Sequence, residues 1–243
     1  LKENKFGVAF EEARELYKRA SEMSVIDLVG IDCHIGSQLT QIEPFGDALD
    51  RLLNLVDQLQ EDGITIEHID MGGGLGICYQ DEVIPPLSEF ADLLLGKLAG
   101  RSINVIVEPG RSIVGNSAVM LTEVEYLKHT PTKSFAIVDG GMNDLIRPSL
   151  YDAWQEIITV SQTSPAPKQR YDVVGPICET GDFLGKDREL AISQKDILAV
   201  LSAGAYGFTM SSNYNTRPRP CEVLIDKDQI HVIRRRETVE QLY

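Results

Sequence analysis

The sequence predicts an α/β chain: a partial (β/α)8 TIM-type barrel over residues 1–117, followed by a β-rich barrel or sandwich domain over residues 118–243. Three observations predict it. Up to about Ser117, strand-like apolar runs alternate with amphipathic helical runs, the order expected of a parallel sheet. Each strand-like run ends in a marked loop, at His34, at the glycines from Gly72 and at Glu108, and these markers are 38 and 36 positions apart, close to one βα unit. After about Ala118 the texture turns to β-rich segments divided by Gly, Pro, Asn and Asp. A doubly wound sheet is the rival for the first half, because periodicity alone does not separate the two folds. Three or four units are too few to close a barrel, so the rest is expected from a longer chain or from another one.

Taken in order, "FEEARELYKRASEM" puts Phe10, Ala13, Leu16, Tyr17 and Ala20 on one helical face before the strand-like "VIDLVGIDCHIGSQ". In "PFGDALDRLLNLVDQLQEDG", Leu49, Leu52, Leu53, Val56 and Leu59 form a second apolar face with Gly63 as its stop, and "ITIEHIDMGGGLGI" follows. "LSEFADLLLGKLAG" is the third helix and "INVIVEPGR" its strand. In the second half, "VMLTEVEYLKH", "KSFAIVDGG", "YDVVGPIC", "ILAVLSAGAYG" and "CEVLIDKDQIHVIRRR" read as β structure, with helix expected only around "LYDAWQEI" and at "TVEQLY". The stretch Thr163 to Arg170, "TSPAPKQR", reads as a loop.

Composition narrows the function classes. The chain has 243 residues, 43% of them hydrophobic, enough for a sizeable core. Its formal charge of -14 opposes nucleic acid or an anionic membrane as partner, since both need clustered cations. No apolar run approaches the ~20 residues of a membrane span, and the charged opening is unlike a secretory signal, so a cytoplasmic protein is expected. Cys33, Cys78, Cys178 and Cys221 lie far apart with no CxxC pair, which points to reduced thiols. No metal site is expected, because His68, His129 and His231 fall in unrelated segments.

The loops carry the chemistry. "GGGLGI" after a strand turns tightly and can aim several N–H groups at an anion, though a turn packed for space reads the same way; the spacing is neither dinucleotide nor P-loop. In "EPGR", Glu108 places a carboxylate at the strand end. Arg111 is either a bidentate anion partner or a helix-start ion pair. In "CHIGSQ", His34 and Ser37 stand at another strand end, where a lone histidine is more often structural than catalytic. "GPICETGDFLG" sets Cys178 beside Glu179, either as chemistry or as a small buried cysteine on a turn.

The ordered motifs "KFGV", "HIGSQ", "GGGLGI", "EPGR", "VDGGMNDLIRPSLYDA", "GPICETGDFL" and "GAYGFTMSSNYNTRPRPCEVL" together resemble the fold-type III, alanine-racemase-like pyridoxal 5'-phosphate decarboxylases over essentially the whole chain. Within that family the resemblance is closest to members that convert meso-diaminopimelate to L-lysine and CO2. It implies that His34 stacks on the cofactor ring and that Ser37 with Gly72, Gly73 and Gly74 holds the phosphate. Glu108, followed by Pro109, Gly110 and Arg111, meets the pyridine nitrogen, whose protonation makes the ring an electron sink. Arg111, Arg147, Tyr151, Glu179 and Tyr206 are implied as substrate contacts, with Tyr206 also near the phosphate. Cys178 is implied as the acid that returns a proton to Cα, in a homodimer with shared active sites. One departure stands out: the family's Schiff-base lysine lies in a motif like "YAxKAN", absent here, while Lys2 and Lys5 belong to a segment downstream of it. The chain is therefore expected to be the C-terminal part of a longer protein. An ornithine- or arginine-type decarboxylase and a non-catalytic relative that lacks the lysine are the alternatives.

Overall fold

A computed structural model describes residues 5–161 and 165–243, so Lys2 of the opening segment and Thr163 and Ser164 of the expected loop lie outside the described residues. The chain divides into two compact units. Leu1–Cys78 with Glu82–Ser112 form the first, and Tyr79–Asp81 with Ile113–Tyr243 form the second.

In the first unit, helix α1 (Phe10–Ser21) carries Glu11 and Glu12 in its first turn and Lys18 and Arg19 in its last, the polarity that the helix dipole favours. Helix α2 (Glu43–Glu61) starts with a proline in its first turn, where no N–H is needed, and stops before Gly63, whose φ of 82° few other residues adopt at low cost. Helix α3 (Leu87–Leu98) begins directly after Pro86. The predicted apolar stripe of α2 is the centre of the core: Leu49 and Leu59 are fully buried, each contributing about 1.5–3 kcal/mol relative to exposure, and Phe45 of the same helix is buried too.

Those helices cover one face of a short parallel sheet in the order β1 (Gly30–Asp32), β2 (His68–Asp70), β3 (Asn104–Ile106). Gly30, His68 and Asn104 stand in register, as do Asp32, Asp70 and Ile106. Side chains alternate along a strand, so Ile31 and Ile69 point into the helical core and are buried. The opposite face presents Asp32, His68, Asp70 and Asn104 together with Ile106, none of them buried. Parallel sheets normally have both faces covered; this one has a single apolar face and a polar one.

The second unit is built on six strands in the order β6-β9-β4-β5-β7-β8. They are β4 (Met120–His129), β5 (Ser134–Val138), β6 (Ile157–Thr159), β7 (Gln169–Val174), β8 (Phe183–Leu190) and β9 (Ile197–Val200). All neighbours pair antiparallel except β5 with β7, and the two edge strands β6 and β8 approach each other, so the sheet is nearly closed around a core that includes Val124, Val138, Val173, Leu184 and Leu198. A separate hairpin, β10 (Glu222–Asp226) with β11 (Gln229–Arg234), follows.

Two expectations need correction. The helix foreseen around "LYDAWQEI" is only α5 (Arg147–Tyr151): Asp152 takes a left-handed φ of 50° that ends it, and the chain continues into β6. The closing "TVEQLY" forms a single 3-10 turn, Val239–Leu242, fixed by a capping box from Thr238. Among the described residues, no helix is long and apolar enough to cross a membrane.

Candidate active site

The first group of site residues comes from the C-terminal ends of β1, β2 and β3. Ladder hydrogen bonds run on past the strands: the Cys33 N–H donates to Asp70 O (3.0 Å), Met71 N–H to Ile106 O (3.0 Å) and Glu108 N–H to Gly72 O (2.9 Å). These bonds bring His34, the glycines and Glu108 side by side. Glycine is required there for space. A Cβ on Gly72 (φ 64°) would lie 2.6 Å from Cys33 O and 3.1 Å from His34 Nδ1, one on Gly73 2.4 Å from Glu108 O, and one on Gly74 (φ 111°) 2.3 Å from Gly36 O. Asp70 fixes the turn by accepting the Gly72 N–H at 2.9 Å.

Ser37 and Arg111 meet at the same rim, with Arg111 Nη2 donating to Ser37 Oγ at 3.1 Å. Arg111 opens the short helix α4 (Arg111–Val114), directly after the exposed Pro109 and Gly110. His34, Ser37 and Glu108 are exposed on this buried scaffold. Carboxylate oxygens of Asp32, Asp70 and Glu108 lie within 4.8 Å of one another, concentrating negative charge at the strand ends; exposed acidic groups are common without an ion. Burial first, then the Asp32 and Asp70 charges, pushes the Cys33 thiol up to about 11, so this cysteine stays protonated.

The second group is made by irregular loops. Cys178 and Glu179 sit on a tight turn between β7 and β8, and both are exposed, which removes the reading of Cys178 as a buried turn cysteine. Glu179 N–H donates to Ile177 O at 2.7 Å and Asp182 N–H to Glu179 O at 3.0 Å, so the turn closes on itself. Ser149 Oγ on α5 donates to Gly181 O at 2.5 Å, tying the turn to the helix that bears Tyr151, itself exposed. Arg147, on the same helix, is buried with its guanidinium 4.5 Å from the Tyr79 ring. With the Gln155 amide oriented to satisfy its neighbours, Arg147 Nη1 donates to it at 2.8 Å.

Tyr206 is exposed at a left-handed φ of 59°, a costly backbone for an aromatic residue. Its loop is pinned on both sides: Asn116 Nδ2 donates to Ser202 Oγ at 2.8 Å, and a Cβ on Gly204 would lie 1.8 Å from Val114 O. Sequence reasoning missed Asp70, Asp182 and Ser149. An acid two residues before a turn glycine was a readable signal for Asp70; nothing local marks the other two.

Residues 1–115 match the family described as pyridoxal-dependent decarboxylase, pyridoxal binding domain. Along all 243 residues the chain is 60% identical to diaminopimelate decarboxylase of Pseudomonas aeruginosa, covering 100% of this chain and 58% of that protein. A crystal structure of diaminopimelate decarboxylase from Helicobacter pylori complexed with L-lysine superposes with a TM-score of 0.93 at 41% identity, over 100% of this chain and 60% of that one. The lysine/ornithine decarboxylase of Vibrio vulnificus complexed with cadaverine, at a TM-score of 0.80 and 23% identity over 88% of this chain and 58% of that one, shares the fold alone. The chain spans about 58% of the length of the Pseudomonas relative. It is thus similar along its whole length to these diaminopimelate decarboxylases, and its first 115 residues carry the match to the pyridoxal binding domain of the pyridoxal-dependent decarboxylases.

Proposed function

We propose that the chain is the C-terminal part of a cytoplasmic pyridoxal 5'-phosphate-dependent decarboxylase that converts meso-diaminopimelate to L-lysine and CO2 and works as a homodimer with shared active sites. In this reading residues 1–117 are the later part of a (β/α)8 barrel and residues 118–243 a β-rich domain that contributes to the site. The open polar face of β1–β3 supports it, since barrel strands need a covered inner face. So does the length of the relatives.

One observation carries the proposal: a carboxylate, Glu108, stands beside three glycines at which a Cβ would strike neighbouring backbone. That is a cradle for a flat, phosphorylated group. Gly72, Gly73 and Gly74 with Ser37 would hold the phosphate, Arg111 and Tyr206 would add contacts to phosphate or substrate oxygens, and His34 would stack on the ring. Glu108 would accept the proton-bearing ring nitrogen, with Asp32 and Asp70 adding negative potential. When bound, the cofactor supplies the electron sink that loss of CO2 from an amino acid requires.

The remaining roles belong to the second unit. Cys178, exposed on its turn, holds a thiol proton for delivery to the substrate Cα as a general acid. Glu179 offers a carboxylate to the distal ammonium. Tyr151 and Arg147 complete the substrate contacts, Arg147 from a buried position. The test is CO2 release from meso-diaminopimelate by the full-length protein loaded with pyridoxal 5'-phosphate, with lysine identified as product. Activity on ornithine or arginine in its place would move the protein to a sister decarboxylase.

A further inference from the structure

We propose that Asp182 is the positioning residue of the Cys178–Glu179 turn, a role that rests on the decarboxylase reading of that turn. Asp182 is 3% exposed, and each carboxylate oxygen is spent on backbone. Oδ2 accepts the Ile177 N–H at 2.7 Å, one residue before Cys178, and Oδ1 accepts the Met142 N–H at 2.7 Å. Its own N–H donates to Glu179 O at 3.0 Å, and its carbonyl accepts the Gly175 N–H at 3.2 Å. Asp182 therefore closes the turn through its backbone, and its side chain ties the start of the turn to a second segment 40 positions earlier in the sequence.

The surrounding glycines are cut to this carboxylate. A Cβ on Gly175 would lie 2.4 Å from Asp182 Oδ2, and one on Gly141 3.2 Å from Oδ1. Neither glycine has a positive φ, so each is there for room and not for backbone freedom. Met142 and Gly141 lead directly into α5, which carries Arg147 and Tyr151 and returns to the turn through Ser149. A closed circuit results, running from Asp182 to Met142, along α5 to Ser149, and back to Gly181. The residues it displays, Cys178 and Glu179, make the exposed corner of that circuit.

Charge-assisted bonds to backbone N–H groups are the strong kind, and a carboxylate that accepts two of them has one geometry. Asp182 touches neither substrate nor cofactor in this account. Its effect is to hold the Cys178 thiol and the Glu179 carboxylate at one spacing from the α5 residues, and a displacement of ~1 Å of such groups costs on the order of 100-fold in rate.

The experiment compares the full-length cofactor-loaded enzyme with Asp182→Asn, which keeps the size but turns one acceptor into a donor facing an N–H. Amide hydrogen exchange is expected to rise about tenfold or more at whichever of Ile177 and Met142 faces the new amide nitrogen. The kcat for meso-diaminopimelate should fall by roughly 100-fold, while the cofactor absorbance and its dissociation constant stay as in the wild type. Unchanged kcat with faster exchange would overturn the positioning role, and so would unchanged exchange at both amides. If Asp182→Asn does not fold, Gly175→Ala decides, because it crowds the carboxylate while keeping its charge and both donors: an equal kcat loss supports the role and an unaltered kcat rejects it. Cys178→Ala run in parallel separates the two layers. Full activity in that variant defeats the decarboxylase reading of the turn, whereas loss there with no loss in Asp182→Asn defeats only the positioning role.

Discussion

The two units place their candidate groups in different ways. In the first, His34, the glycines and Glu108 sit where three parallel strands end, so their alignment comes from the ladder, and each bond of that ladder is a repeat of the one before. In the second, Cys178, Glu179 and Tyr206 stand on loops held by single side chains and single close approaches, with Asp182, Ser149 and Asn116 each doing a separate job. The contrast teaches that redundancy differs between them. A strand end shares its load among neighbours, whereas a clamped loop depends on one contact.

Gly204 gives that idea its strongest trial. A methyl there would sit 1.8 Å from Val114 O, which is backbone and cannot swing aside, so Gly204→Ala is expected to cost about 4 kcal/mol or to prevent folding, read from the urea midpoint of the full-length protein. Cys178→Ala comes next, with turnover down roughly 10²–10⁴-fold and cofactor titration unchanged. A drop in cofactor affinity with turnover per bound cofactor intact would assign the thiol to structure instead. If Glu108 meets the ring nitrogen as proposed, Glu108→Gln should lower the rate by about 10²-fold by weakening that charge; unchanged kinetics would remove Glu108 from the electronic role.

A smaller effect tests the far end of the second unit. Glu237 accepts from Arg219 Nε, Nη2 and N–H and from Asn213 Nδ2, and the Arg219 bonds first of all hold its carboxyl at about 2 against an ordinary 4.5. A depressed carboxyl stabilises the fold above its unfolded pKa and loses that contribution as the pH falls through its folded one. Thermal midpoints should therefore decline between pH 4.5 and about 2, and Glu237→Gln should flatten the curve over that window only. An equally steep decline in the variant would show that other acids set the acid limit.

The same contrast explains what was legible in the sequence. Helix α2 announced itself because Leu49, Leu52, Leu53, Val56 and Leu59 repeat at helical spacing, and the strand ends followed from the even intervals between markers. Strand β8 escaped notice because "FLGKDREL" breaks its alternation with Lys186, Asp187 and the buried Arg188, whose guanidinium lies 3.1 Å from the Trp154 ring. Asp182 was illegible for a related reason. An acid among glycines reads as solvated, and only the two N–H groups aimed at it from distant segments make burial tolerable. Residue roles at Arg147, Tyr151 and Tyr206 came from resemblance alone, since no spacing marks them.

The environment of Cys33 has a practical consequence for anyone working with this protein. A thiol pushed up by burial and by the Asp32 and Asp70 charges stays protonated at neutral pH, so thiolate-directed alkylating reagents and dyes should react with it slowly. The cysteines left for such reagents are the exposed Cys78, Cys178 and Cys221. Replacing Cys78 and Cys221 with serine would thus leave, among the described residues, one exposed cysteine, on the Cys178 turn, where a fluorine label would report its motion directly by NMR.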